Sequence, residues 1–235
     1  MNIKNFFLKV CNKIDVKFFF PLLAKSRKNK LKYTDFTIIS NNCWAGKCYE
    51  YFNLPKSSPT IGGYFFAEDY VKFCKNIKHY LSCNLDIIPA SESKHYKVLL
   101  EKNEENSLIG KLDDVEIIFL HYHDKKILIE KWNRRVERIN WDRLILKFSY
   151  QNECSDELIK SFLEISDFPK FCLVGKKNTD SQSACNRLQD IQELFNNYST
   201  TLLCVEDCLV TSSKDRLDTE AFMKKMFPNK SKFEK

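Results

Sequence analysis

The run Phe36-Thr37-Ile38-Ile39-Ser40 constrains this chain most, because an apolar, β-branched stretch stops abruptly at Asn41 and Asn42, whose side chains can only hydrogen-bond. It reads as a strand that delivers polar groups to the carboxyl edge of a sheet. In an open α/β sheet, ligands bind in the crevice outside the strand carboxyl ends, so Ser40, Asn41 and Asn42 stand where a site is expected. Taken alone, the same residues are also ordinary turn formers.

Beyond Tyr33, strand-like and helix-like segments alternate, and only five Gly and six Pro interrupt them. The pattern predicts a strand at Phe36–Ser40, a short helix at Trp44–Phe52 and a helix at Glu68–Leu81 with Tyr70, Phe73 and Ile77 on its buried stripe. Between the first two helices, Pro55 and Pro59 bracket a loop ending in Gly62-Gly63, a pair that permits positive φ or close approach to backbone. Residues 85–123 then change to β-like runs, His95–Leu100, Ser107–Leu112 and Val115–Tyr122, which predict an antiparallel meander inserted in or attached to the sheet. A basic helix is expected over Asp124–Ile139, then a strand at Arg143–Phe148, a helix at Ser155–Ile165 capped by Ser155, and a strand at Phe171–Val174. A helix near Ser183–Phe195, a strand at Thr201–Val205 and a short helix from Thr219 complete the alternation. The expectation is an α/β fold: a mainly parallel, Rossmann-like layered sheet with helices on both faces and an antiparallel β-meander insertion.

Composition matters for where the charge lies. The chain has 38 basic and 31 acidic residues, but residues 1–33 alone hold nine Lys or Arg against Asp15, leaving 29 basic against 30 acidic in the remainder. A neutral body argues against a general nucleic-acid binder, whose basic footprint should spread over a folded face. Within the arm, Ile3, Phe6, Phe7, Val10 and Ile14 recur at helical spacing among the lysines. Its apolar block, Phe18 to Leu23, falls short of the roughly 20 residues needed to span a bilayer. A basic amphipathic helix instead suits an anionic inner-leaflet surface, at about 1 kcal/mol per basic residue near it. The same pattern also fits a helix packed on the domain with solvated lysines. The expected organisation is therefore arm 1–33, a single α/β domain 34–227 with the meander at about 85–123, and a disordered tail 228–235. Ten cysteines at irregular spacing, with no secretory leader before them, read as reduced thiols in a cytoplasmic protein.

Several groups are candidates for chemistry. His121 and His123 end the most apolar strand, where period-two geometry puts both on one face, fit for proton transfer or metal ligation. A metal would need further ligands that no motif supplies. Cys43 stands at a strand-to-helix junction, where a thiol is easily ionised, with His121 available as base, although no nucleophile elbow surrounds it. Lys131, Arg134, Arg135 and Arg138 crowd two stripes of the basic helix, suiting phosphate or carboxylate, or else a solvated face paired with Glu130 and Glu137. Glycine-rich nucleotide loops, a Walker A loop and an Asp-x-Asp pair are all missing from the sequence.

The ordered string Thr37-Ile-Ile-Ser-Asn-Asn-Cys-Trp44, Leu54-Pro55, Ser58-Pro-Thr-Ile-Gly62, Glu68-Asp69-Tyr70-Val-Lys-Phe73, Phe119-Leu-His-Tyr122, Lys131-Trp132, Arg135 and Arg138-Ile-Asn140 resembles the bacterial domain-of-unknown-function family nineteen-nineteen. The resemblance is closest over residues 36–148, with Ala45 where a second glycine is usual before Gly46. Members are often labelled exopolysaccharide or capsule biosynthesis proteins. The resemblance implies that Asn41, Asn42, Trp44, Thr60, Asp69, His121, Arg135, Arg138 and Asn140 line one cleft. Amides for hydroxyls, an indole for a sugar face and arginines for phosphate suit a sugar or sugar-phosphate substrate.

The leading expectation is a cytoplasmic transferase of surface polysaccharide assembly, peripheral to the inner membrane face. It would be a glycosyltransferase with a nucleotide-sugar donor and Asp69 or His121 as general base. No resident cofactor is identified, and a divalent cation is left open. The alternatives are a Cys43/His121 hydrolase acting on a polysaccharide substituent, and a non-catalytic sugar-binding assembly factor.

Overall fold

The computed structural model describes residues 28–29 and 33–173. Almost all of the basic arm, the elements expected near 183–195, 201–205 and from 219, and the tail at 228–235 lie outside the described residues. The chain divides into two compact units, one of residues 35–46 and 57–209, the other of residues 1–34, 47–56 and 210–235.

The larger unit is built on a parallel sheet. Strand β1 (Thr37–Ser40) is followed by helix α1 (Trp44–Tyr51), α2 (Ala67–Lys75), α3 (Ile77–Ser82), strand β2 (Asp86–Ile88), helix α4 (Tyr96–Glu101), strands β3 (Leu108–Leu112) and β4 (Val115–Phe119), and helix α5 (Lys125–Val136). Strand β5 (Leu144–Ser149), helix α6 (Asp156–Leu163) and strand β6 (Lys170–Leu173) follow. The order is β1-β5-β6, with Ser40 paired in parallel to Lys147 and Ser149 to Leu173. Every residue of β1 and β5 is buried, as expected where helices cover a parallel sheet. Tyr70 of α2 pins that helix to the sheet: its hydroxyl lies 2.8 Å from the Ile39 carbonyl and 2.7 Å from the Lys147 carbonyl. Its ring stacks on Phe148, which in turn packs on Phe162 of α6.

Strands β2, β3 and β4 form a separate antiparallel sheet in that order, with no ladder to the parallel one among the described residues. A two-residue turn, Asp113-Asp114, joins β3 to β4, with Asp113 at φ 56°. This is the expected meander, with one correction: the run His95–Leu100 is not a strand, because Tyr96–Glu101 is helical. Six residues with apolar groups at 96, 98, 99 and 100 satisfy either period, and the helix resolves the ambiguity by burying Leu99 among Tyr64, Phe66, Ile109 and Ile118 while Leu100 stays exposed. The third strand comes instead from Asp86–Ile88.

A second correction concerns the helix expected over Glu68–Leu81, which breaks at Asn76 into α2 and α3. Asn76 takes φ −134°, ψ 46°, outside the helical region, and its own N–H turns back to the Phe73 carbonyl. The other expected boundaries shift by one to three residues, and Ser155 does cap α6, its Oγ accepting from Leu158 N at 3.3 Å.

In the smaller unit, the described residues 47–56 continue α1 into a tight C-terminal turn, where Leu54 N donates to Tyr49 O at 2.8 Å. Asn53 has φ 51° there, and Lys56 pairs with Glu50 at 2.8 Å. Among the described residues, six cysteines are free thiols, and no helix is long and apolar enough to cross a membrane.

The carboxyl end of the sheet is closed by Asn41. Its Nδ2 donates to Ser149 O at 3.0 Å, and its Oδ1 accepts from Ser149 N at 2.9 Å, so a side chain extends the β1-β5 ladder by one more pair. Asn41→Ala takes the partner from the buried Ser149 N–H, while Ser149 O keeps its bond from Gln151 N at 2.9 Å, and is expected to cost about 2 kcal/mol. The check is a lower urea midpoint at unchanged slope.

Candidate functional site: a thiol and an imidazole at the sheet edge

Where β1 ends, the chain turns through Asn42 into α1, leaving Cys43 at the helix N-terminus. Asn42 shapes this turn: its Oδ1 accepts from Ser40 Oγ at 3.0 Å, Trp44 N at 3.1 Å and Lys147 Nζ at 3.1 Å, while its Nδ2 donates to Ser149 Oγ at 3.2 Å. Cys43 Sγ then lies 3.5 Å from His121 Nε2 and 3.9 Å from the Gly63 carbonyl.

His121 follows β4 in a turn, since the strand ends at Phe119, so the period-two placement of His121 and His123 on one strand face does not apply. Its N–H donates to Gly62 O at 3.3 Å, and the loop before Gly63 therefore positions both members of the pair. Gly62 has φ 95°, and a Cβ there would come within 2.5 Å of the Tyr122 ring, so no other residue fits. Arg135 braces the loop from α5, with Nη1 donating to Ile61 O at 3.1 Å and to Tyr122 Oη at 2.8 Å.

Lys147 is the group sequence reasoning missed. It sits on β5 with 0% of its surface exposed, its ammonium hydrogen-bonded to Asn42 Oδ1 and Ser149 Oγ and 5.7 Å from the centroid of the Trp44 ring. A lysine inside the otherwise apolar run Leu144-Ile-Leu-Lys-Phe148 was the available signal, because a cation is rarely placed in a strand buried on both faces. Low surrounding polarity makes such a charge act strongly on its neighbours.

The nine residues expected to share a cleft separate into groups. Asn41, Asn42, Trp44, Thr60 and His121 gather at the β1 edge, Thr60 through its Oγ1, which accepts from Ser40 N at 3.5 Å. Arg135 stands behind them on α5, bonded to the loop at Ile61. Asn140 lies at the opposite, amino end of β1, where its N–H donates to Thr37 Oγ1 at 3.0 Å and its Nδ2 to Asp35 O at 2.7 Å. Arg138 is exposed just past the end of α5.

Asp69 belongs to a different cluster. Its carboxylate, 1% exposed, accepts from Lys94 Nζ and lies 2.6 Å from His95 Nε2, whose ring stacks 3.8 Å from Phe66. Lys94 also reaches Asp114 O at 3.0 Å and, through its N–H, Glu116 Oε1 at 3.3 Å, at the start of β4. His121 leaves the other end of β4, on the order of 10–15 Å away at strand rise. Asp69 and His121, the two alternative general bases, thus stand toward opposite ends of β4. Among the described residues, no group of three His, Cys, Asp or Glu is placed to hold a metal ion.

The family described as a domain of unknown function, DUF1919, matches residues 1–219. The chain belongs to this family. An uncharacterized protein of Haemophilus influenzae is 26% identical over 140 residues, which is 60% of this chain and 62% of that protein. The match thus spans less than two thirds of that relative's length. Neither the family description nor the relative's name carries an activity.

Removing Asp69 separates the two clusters. Asp69→Ala leaves His95 and the Lys94 ammonium without their buried carboxylate and is expected to cost about 3 kcal/mol of stability. Alkylation of Cys43 in the folded variant is expected to keep its native rate, as read by peptide mass spectrometry.

Proposed function

We propose that this chain is a thiol-dependent acyl-transfer enzyme, a hydrolase that removes an acyl substituent from a surface polysaccharide or its sugar precursor. The observation that carries the reading is the 3.5 Å contact between Cys43 Sγ and His121 Nε2 at the carboxyl edge of a parallel sheet. Nucleophile and base stand close to hydrogen-bond reach, a spacing expected before substrate binds. The first turn of α1 follows Cys43 directly, and the positive end of the helix dipole favours negative charge on the thiol.

In the proposed reaction, His121 Nε2 holds the proton given up by Sγ, and the thiolate so formed attacks the ester carbonyl carbon. Collapse of the tetrahedral intermediate breaks the ester C–O bond, and the imidazolium returns its proton to the departing sugar oxygen. Water, deprotonated by His121, then adds to the thioester carbonyl, releasing the carboxylic acid and restoring the thiol. Trp44 is buried with its ring against the Lys147 ammonium, and so supports the edge from within rather than meeting a sugar. The sugar substrate is supported by the resemblance to proteins labelled as exopolysaccharide biosynthesis factors. The nine basic residues of the first 33 support delivery to an anionic membrane surface.

A glycosyltransferase would draw on the same edge in another way, with an acceptor base beside arginines that neutralise a diphosphate. Arg135 Nη1 is committed to Ile61 O and Tyr122 Oη, and Asp69 lies in the other cluster, so the thiol reading uses a contact already made while the transferase reading needs several to form.

The test is hydrolysis of p-nitrophenyl acetate and of O-acetylated oligosaccharides by the full chain. Cys43→Ser is expected to lower the rate about 10³-fold, and His121→Asn about 10²-fold or more. A mass increase of one acyl group on the Cys43 peptide should accompany turnover. Full activity of Cys43→Ser, or its turnover of a nucleotide-activated sugar, would sink the reading.

A further inference from the structure

Lys147 stands out among the buried ionisable groups that the proposed reaction leaves unused. Its Nζ bonds Asn42 Oδ1, and the same oxygen accepts the N–H of Trp44, so the ammonium is one hydrogen-bond relay from the backbone that flanks Cys43 on both sides. Ser149 Oγ holds it from β5 and the Trp44 ring lies across it, an aromatic face that favours a cation. Lys147 and Ser40 are paired across β5 and β1, so the ladder itself sets the charge at the strand end from which the chain turns to Cys43.

Other charged or titratable groups near Cys43 among the described residues are placed differently. His121 touches Sγ directly from the turn after β4. Arg135, on α5, reaches the loop at Ile61, two residues before the Gly63 carbonyl that meets Sγ, and Lys131 of the same helix lies over the Tyr122 ring at 5.2 Å. Arg135 and Lys131 act on the loop behind the pair, whereas Lys147 is buried beside the turn that carries the thiol. A cation out of water beside a thiol favours the thiolate, and burial strengthens that effect.

We infer that Lys147 is a positioning residue that holds Cys43 in its thiolate form, with Asn42 and Ser149 fixing the ammonium beside the α1 N-terminus. The inference rests on Cys43 being the working thiol, but its test needs no substrate. Lys147 touches no reacting atom in this scheme. Its effect is the state in which the thiol waits.

The full chain, with its Lys147→Met and Lys147→Arg variants, is treated with iodoacetamide across pH 5 to 10, and alkylation of the Cys43 peptide is followed by mass spectrometry. In the unchanged chain the reactivity midpoint is expected below the ordinary thiol value of about 8.5. Lys147→Met should raise that midpoint by about one to two pH units and slow alkylation at pH 6.5 roughly 10- to 100-fold, while Lys147→Arg, which keeps the charge, should stay near the native curve. Cooperative thermal unfolding of each variant confirms the fold. An unshifted midpoint in folded Lys147→Met overturns the inference. If Lys147→Met does not fold, Lys147→Arg decides: a native-like low midpoint supports the charge, and a midpoint at the ordinary thiol value removes it. A low, Lys147-dependent midpoint without ester turnover would refute the hydrolase and leave the inference standing. Turnover with an unshifted midpoint would do the reverse.

Discussion

Asn41 joins the ends of β1 and β5, and the candidate site hangs on that join. Its side-chain amide bonds both backbone groups of Ser149, while its own N–H donates to Lys147 O at 3.3 Å and its carbonyl accepts from Phe65 N at 3.0 Å. One buried residue therefore fixes the register of two strands, the entry to α2 and the turn to α1. Three of these four bonds are in strand-like register, so the amide works as an extra peptide group where the β1 backbone has already turned away. Everything placed on the edge, from Asn42 to Cys43, inherits its position from this pairing.

The second constraint is the loop at Ile61-Gly62-Gly63. Gly62 carries positive φ against the Tyr122 ring, and at Gly63 a Cβ would meet the Ile118 carbonyl at 2.8 Å, so the loop packs on β4 at a distance only glycine allows. Arg135 and Tyr122 converge on Ile61 O, and His121 N bonds Gly62 O. These contacts bring the end of the antiparallel sheet to the end of the parallel one. Thiol and imidazole meet where two different sheets terminate. Polar groups that looked like ligand contacts, Asn41, Thr60 and Arg135, serve largely to hold this geometry.

Much of the fold was legible in the sequence. The β-branched run before Asn41, the apolar β5 and β3-β4 segments, the long stripe of α5 and the Ser155 cap of α6 are local patterns with a local cause. The failures were also local in form. His95–Leu100 satisfies helix and strand periods alike, and its burial against Tyr64 and Ile118 chose the helix. Asn76 broke a helix whose apolar stripe continued through it, because a stripe reports which face is buried and not whether the backbone stays helical. Lys147 received no reading from the sequence, and its importance follows from its place on the middle strand of the sheet.

By itself, the sequence determined that an α/β domain would present Ser40, Asn41, Asn42 and Cys43 at a strand's carboxyl edge, since period and turn chemistry are properties of neighbouring residues. It also carried the motifs that place the chain in its family. Only the tertiary structure decided which distant groups share that edge. Cys43 met His121, 78 residues away, and Asn42 met Lys147 of the neighbouring strand, while Asp69 turned to His95 and Asn140 to the other end of the sheet. The physical reason is that strand pairing and loop path set such meetings. They arise from many weak contacts spread across the chain, and no local pattern encodes them.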